Sequence, residues 1–335
     1  MKKRLKKETE SLKKKLNSCL EIYSYDSIDK EVYNEIRTVF ALYSPLKERS
    51  FLMRLIYSHY AKTPDTNDNL YLAIELAFSA YYLKDDLTDN THLRNGKETL
   101  LATRGRNYTL TLSDYILELS HSLLLKFIER NSIQLQNFDN PFLDLSLGQF
   151  YTDYIRNFDD LKNIEEEELV RLKAGSLFGK GVDYIGCLIS KEHAPDVRAL
   201  VKIAEEMGSI LQIMNDIQNF LLQPSHDQIL SDLRDGKANY ILIKYIKETS
   251  PDSSGYLFLK SCWKKKIPFV NIQDKVFSIL EEAVIFSNTF YDLNNRVSKI
   301  IYLINNNLKN EAIKEQLKKY CQIFVKEIPI NYNEL

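Results

Sequence analysis

Glycine is the residue this chain avoids. Ten glycines and eight prolines serve 335 residues, and no glycine precedes Gly96, against ordinary usage of about 7% and 5%. A chain so poor in tight-turn residues cannot easily close the hairpins of a β-sandwich. It also lacks the glycine-rich turn of a dinucleotide-binding fold. Long helices remain. Leu112, Ile116, Leu119, Leu123 and Phe127 recur at helical spacing, as do Ile203, Met207, Ile210, Met214, Ile217 and Leu221. The prolines fall between such stripes, where they end helices without breaking them. With 44% apolar residues to fill a core, the expectation is one all-α domain over residues 1–335, opening with a basic helix over 1–30.

Charge excludes other classes. Forty-five bases nearly balance forty-six acids, so net charge implies no nucleic-acid partner. Cys19, Cys187, Cys262 and Cys321 stand far apart, without a metal-site or disulfide pattern, and free thiols suit a cytoplasmic protein. The Lys-rich start lacks the apolar stretch of a secretory signal. No apolar run reaches the roughly 18 residues of a membrane span. At most, the basic first helix makes a peripheral contact with anionic lipid.

Two polar clusters interrupt apolar helices. Residues 73–84 lead into Asp85, Asp86 and Asp89. At about 100° per residue, Asp85 and Asp89 lie about 40° apart on one helix face. Like charges repel, and the C-terminal end of a helix disfavours anions, so local physics gives no reason for the cluster. A hard cation supplies one, because Mg²⁺ takes carboxylate and phosphate oxygens; the plain alternative is a solvated helix end. Downstream, Asn215, Asn219 and Gln223 make a line beside Asp216. Taken alone, that line reads as a hydrogen-bonded layer in a helical core. The following Ser231-Asp232-Leu233-Arg234-Asp235-Gly236-Lys237 adds a cation for phosphate oxygens.

Together these segments resemble the trans-isoprenyl diphosphate synthase, or polyprenyl synthetase, family across residues 40–245. Asp85-Asp86-Leu87-Thr88-Asp89 is similar to its DDxxD motif, and Arg94-Asn95-Gly96-Lys97-Glu98-Thr99 to RRGxxT. Gly148-Gln149 with Asp153 resembles GQxxD, and Leu172-Lys173-Ala174-Gly175-Ser176-Leu177 resembles KTGSL. Asn215-Asp216-Ile217-Gln218-Asn219 stands where the family has its second DDxxD. The resemblance implies the class I isoprenoid synthase fold, an antiparallel helical bundle around an apolar cavity, and a homodimer. It implies three Mg²⁺ ions on Asp85, Asp86, Asp89, Asp216, Asn215 and Asn219, with an allylic prenyl diphosphate as substrate. Asp85, Asp86 and Lys173 would be catalytic. Arg94, Lys173, Lys237, Arg49 and Gln212 would hold diphosphate, and Tyr81 and Phe78 would line a cavity of geranyl or farnesyl size.

The family's second substrate, isopentenyl diphosphate, needs a basic pocket that this chain keeps poorly. Leu46 replaces the expected Lys, Phe78 the His, and Asn95 the second Arg, while Arg49 matches. Lys47 and Lys84 are possible substitutes. The expectation is prenyl transfer to another acceptor, favouring a pheromone-precursor peptide, as in similar prenyltransferases of bacilli. Chain elongation, class I terpene cyclisation and a catalytically inactive regulatory subunit are the alternatives. Gly175, Gly179 and Gly181 read as helix-packing positions rather than a phosphate loop, and Trp263 as a packed ring.

Overall fold

The computed structural model describes residues 2–21, 27–43, 47–94, 96–134, 140–221, 230–265 and 272–325. The expected all-α class holds: apart from one short hairpin, the regular structure of these residues is helical. No described helix is long and apolar enough to cross a membrane, and the four cysteines are free thiols. Two compact units emerge, Met1–Asp139 with Lys180–Arg198, and Asn140–Gly179 with Ala199–Leu335.

In the first unit, α1 (Lys2–Glu21), α2 (Ser27–Leu42), α3 (Glu48–Tyr60), α4 (Asp68–Asp89), α5 (Leu100–Arg104) and α6 (Arg106–Arg130) follow in order. The basic helix expected over 1–30 ends at Glu21 and is amphipathic. Leu5, Leu12, Leu16 and Leu20 are buried while its lysines face outward. Helix α4 is buried on every side from Leu70 to Ala77, and burying each large apolar side chain contributes about 1.5–3 kcal/mol. Ser120 of α6 ties to it by donating to the Ala73 carbonyl at 2.6 Å.

Helix α4 stops at Asn90, whose φ of 51° is a left-handed value that asparagine tolerates. A hairpin of β1 (Leu93–Arg94) and β2 (Lys97–Glu98) then turns the chain back. Thr99 closes it: its hydroxyl donates to the Thr91 carbonyl at 2.7 Å and caps α5 by accepting from Ala102.

In the second unit, α7 (Pro141–Asp153) and α8 (Glu166–Val170) lead into a π-helical turn, Arg171–Gly175, continued by α9 (Ser176–Gly186), whose residues from Lys180 on belong to the first unit. Helix α10 (Ala194–Leu221) begins in the first unit and runs through the second. It is followed by α11 (Ser231–Asp235), α12 (Tyr240–Glu248), α13 (Ser254–Cys262), α14 (Gln273–Glu282), α15 (Ile285–Asn307) and α16 (Glu311–Val325). The glycines of this region permit close approach. A Cβ on Gly175 would meet Ser209 Oγ at 2.7 Å, and one on Gly208 would meet the Ala174 carbonyl oxygen at 2.8 Å. They bring the π turn directly against α10, the packing role read from the sequence. Trp263 is buried with its ring edge-on to Phe158. One face of α7 is unusual: Leu143, Leu147, Phe150 and Tyr154 form an exposed apolar row, 41–63% accessible.

Candidate active site

The chemistry-bearing residues fall into two groups, one in each unit. In the first, the end of α4 carries Asp85, Asp86 and Asp89. Asp85 and Asp89 are half-buried, one turn apart, and Thr88 Oγ1 donates to Asp89 Oδ1 at 3.2 Å. Asp86 is fully buried. Its Oδ1 accepts Arg94 Nε at 3.0 Å and Nη2 at 2.7 Å, and its Oδ2 accepts the Tyr43 hydroxyl. Three donors, two of them on one guanidinium, thus engage both oxygens. In this structure Asp86, expected as a metal ligand, holds Arg94. Burial pushes its carboxyl pKa up, against the pull of Arg94 and Tyr43. Burial and Asp86 push the Tyr43 hydroxyl up as well, so it stays a neutral donor. Tyr43 stacks on Tyr82 with centroids 5.2 Å apart, and the Arg94 guanidinium lies 4.9 Å from the Tyr82 ring.

Beside this network stand the residues aligned with the isopentenyl pocket. Arg49 forms a buried ion pair with Glu75 at 3.0 Å. The Phe78 ring covers its guanidinium at 3.5 Å and meets Tyr82 edge-on at 4.6 Å. Phe78, expected to line the prenyl cavity, thus packs its ring on Arg49 and Tyr82. Lys47, at a left-handed φ of 50°, turns its ammonium inward. It donates to the carbonyls of Phe40 at 2.5 Å and Tyr43 at 2.8 Å, which the end of α2 leaves unpaired. Burial pushes its pKa down to about 7. Lys84 pairs with Asp114 at 3.0 Å, 5.8 Å from the half-buried Tyr81 ring. Neither substitute cation proposed from the sequence stands open. Leu46, Asn95 and Gln223 lie outside the described residues.

In the second unit, Asp216 is buried on α10. Gln212 Nε2 donates to its Oδ1 and the Tyr240 backbone N–H to its Oδ2, both at 2.8 Å. The latter bond sets the carboxylate at the N-terminus of α12, where helix dipoles favour anions. Gln212 therefore serves Asp216 here. Asn219 directs its amide at the next turn of chain: Nδ2 donates to Ser231 Oγ at 2.6 Å and Oδ1 accepts the Asp232 N–H at 3.3 Å. Asn215 faces solvent.

The residue that sequence reasoning passed over is Asp232. Asn239, the cap of α12, donates to Asp232 Oδ2 at 2.6 Å and to the Asp216 carbonyl at 3.2 Å. Burial raises both carboxyl pKa values, and Asp216 raises Asp232 further, to about 7. The charge of Lys173, on the π turn, pulls both down. Gly236 makes the turn that follows: its φ is 73°, and a Cβ there would meet Lys264 Cε at 2.2 Å. This brings the Lys237 N–H to the Asp232 carbonyl at 2.8 Å, with the Lys237 side chain largely buried. The missed signal lay in Ser231-Asp232-Leu233, a carboxylate opening a short acidic helix. Glu75, three residues before Phe78 on α4, could likewise have been found as a partner for Arg49. Tyr43 has no local sequence signal.

Among the described residues no three His, Cys, Asp or Glu side chains converge to hold a metal. The oxygen donors of Asp85 and Asp89, and of Asp216 with Asp232, nonetheless fit a hard divalent cation whose remaining ligands are water and phosphate.

Comparison with known proteins places this arrangement. The family profile described as polyprenyl synthetase matches residues 46–267. Geranylgeranyl pyrophosphate synthase paxG of Penicillium paxilli is 30% identical over 187 residues, 55% of this chain and 48% of that protein. IDS-like terpene synthase 2 of Melampsora larici-populina is 27% identical over 217 residues, 62% of this chain and 67% of that one. A crystal structure of decaprenyl diphosphate synthase from Rhodobacter capsulatus superposes with TM-score 0.78 at 16% identity, covering 98% of this chain and 100% of that one. The chain spans about half the length of the first curated relatives, 48% and 58%. The fold is the class I all-α isoprenoid synthase fold.

Proposed function

Because the chain belongs to the polyprenyl synthetase family, we propose that it is a Mg²⁺-dependent prenyltransferase that ionises a short allylic diphosphate. The prenyl group, geranyl to farnesyl in size, passes to an acceptor without a diphosphate of its own, a peptide being the favoured class. One observation carries the acceptor: Arg49 is paired with Glu75 and lidded by Phe78 while Lys47 is buried on carbonyls. A second diphosphate needs several charge-assisted bonds, each contributing about 1.5–3 kcal/mol, and these side chains are already committed.

In this reading Asp85 and Asp89 would hold metal on the first unit, and Asp216 and Asp232 on the second. Bound Mg²⁺ neutralises the charge that develops on departing pyrophosphate. Lys173 and Lys237 offer donors to the same leaving group. Arg94, oriented by Asp86 and Tyr43, keeps Nη1 for it. Tyr81 bounds the prenyl chain, and the two units act as one domain. The exposed row on α7 is the face through which the chain forms a homodimer, since an apolar strip of that length is seldom left in water.

A second reading is supported by the relatives named as geranylgeranyl diphosphate synthases: elongation with isopentenyl diphosphate. Incubation with Mg²⁺ and farnesyl diphosphate, with and without isopentenyl diphosphate, separates the two. The expected result is slow pyrophosphate release in both arms, with farnesol as the product. A longer prenyl diphosphate formed only in the second arm overturns the acceptor assignment. Cyclic hydrocarbons would move the reading to a terpene cyclase. No release in either arm, unchanged by Asp85→Ala, would leave a regulatory subunit.

A further inference from the structure

Helix α15 lies beyond residue 267, where the match to the polyprenyl synthetase profile ends, yet it is tied to the helices of the second acidic group. Asn288, Asp292 and Arg296 stand one turn apart along one of its faces. Asn288 Nδ2 donates to Glu248, in the last turn of α12, at 3.0 Å. Asp292 Oδ2 accepts two groups from α12, the Lys244 ammonium at 2.7 Å and the Tyr240 hydroxyl at 3.2 Å. Arg296 Nη1 donates to Glu206 of α10 at 2.7 Å, and its Nη2 reaches Glu167 of α8. Buried Tyr240 has a bond at each end. Its hydroxyl meets Asp292, and its backbone N–H donates to Asp216 Oδ2 at 2.8 Å. As the first residue of α12, it has no partner for that N–H within the helix. Where α12 begins therefore decides how Asp216 is held.

We propose that Asp292 is a positioning residue for Asp216. By engaging Tyr240 and Lys244 on consecutive turns, it fixes the start of α12, and the Tyr240 N–H then keeps the Asp216 carboxylate in one orientation. Partners that orient a ligating carboxylate act on metal affinity in this way. The Asp292 side chain is 31% accessible, so its ion pair adds little to global stability and its effect is local. The consequence for metal rests on Asp216 being a ligand, as proposed above; the hold on α12 does not.

Two measurements on the intact chain test it: hydrogen exchange at the Tyr240 amide without metal, and the Mg²⁺ concentration that half-saturates the rise in unfolding temperature. Asp292→Asn should speed Tyr240 exchange about tenfold and weaken Mg²⁺ about tenfold, with a cooperative unfolding transition showing that it folds. Tyr240→Phe keeps the N–H but loses the hydroxyl, and should move both readings the same way. The double variant should add little to Asp292→Asn, because the two residues act through one contact. A lower unfolding temperature with Tyr240 exchange unchanged would reduce Asp292 to helix packing and overturn the proposal. So would Mg²⁺ affinity kept in Asp292→Asn but lost in Asp216→Asn. If Asp216→Asn itself leaves Mg²⁺ affinity unchanged, the metal reading fails instead, and Tyr240 exchange alone decides the positioning.

Discussion

The two acidic groups solve the same electrostatic problem in opposite ways. At the end of α4, the buried carboxylate of Asp86 meets a guanidinium and a hydroxyl, so its charge is compensated within the fold. At α10 and α11, Asp216 and Asp232 share one buried region and draw chiefly on neutral donors from Gln212, Tyr240 and Asn239, with Lys173 as the cation acting on both. The buried carboxylate of the first group is compensated within the fold, whereas burial raises both carboxyl pKa values of the second.

The sharpest way to break that contrast is to remove the carboxylates that face outward. If Asp85 and Asp89 hold metal, Asp85→Ala and Asp89→Ala should each lower pyrophosphate release from farnesyl diphosphate about 10²–10³-fold, the scale of losing one preorganised charge-stabilising group. Losses below tenfold in both would show that α4 contributes no metal ligand.

Next in size is the pair of Asp216 and Asp232. Asp232→Asn should weaken Mg²⁺ binding about 10–100-fold and at the same time stabilise the metal-free protein at pH 7. The sign follows from linkage. Both folded carboxyls have pKa values above their unfolded ones, so between about pH 4 and 7 the folded state binds more protons and stability falls as pH rises. Thermal unfolding without Mg²⁺ should show that decline in the parent, a shallower one in Asp232→Asn, and a larger gain on adding Mg²⁺ at pH 7.5 than at pH 5. A pH-independent effect of Mg²⁺ would make the second group no more cation-hungry than the first.

Tyr43→Phe probes the first group's self-sufficiency. It removes one charge-assisted bond to Asp86, about 1.5–3 kcal/mol of local interaction, yet leaves Arg94 bidentate. Turnover should drop about tenfold, mainly in kcat, while Mg²⁺ affinity stays unchanged. A loss of Mg²⁺ affinity instead would mean that Asp86 ligates metal after all.

The helices and the position of each acidic group were legible because both depend on local pattern: scarce glycine, 3.6-residue periodicity, and carboxylates where a helix dipole opposes them. What the sequence hid was pairing across distance. Tyr43 reaches Asp86 across 43 residues, and no periodicity announces that contact. The contact of Phe78 with Arg49 was hidden too, because a ring on a buried helix looks the same in sequence whether it faces a prenyl chain or an arginine. The partner of Asn219 was hidden for a related reason. An amide at helical spacing has an oxygen suited to a metal, and only the fold shows that Asp232 N–H has taken it. Asp232 stood in plain view, but its electrostatic coupling to Asp216 is a tertiary fact.

The smallest expected effect concerns the one buried ammonium of the first group's surroundings, Lys47. Its pKa of about 7 lies below the ordinary 10.5. Between those values the unfolded chain binds more protons, so stability should rise with pH across that window and carry the full cost of the buried charge below it. Lys47→Met removes the charge but strands the Phe40 and Tyr43 carbonyls, each a loss of about 1 kcal/mol. The two effects oppose, so the net change in stability should be within about 1 kcal/mol near pH 8. The variant should be the more stable protein at pH 6 and the less stable at pH 9.5, with the curves crossing between. Denaturant unfolding at the three pH values reads this directly. Parallel curves would mean that Lys47 keeps its proton or reaches water, and with it regains the freedom to meet a second diphosphate that the proposed acceptor specificity denies it.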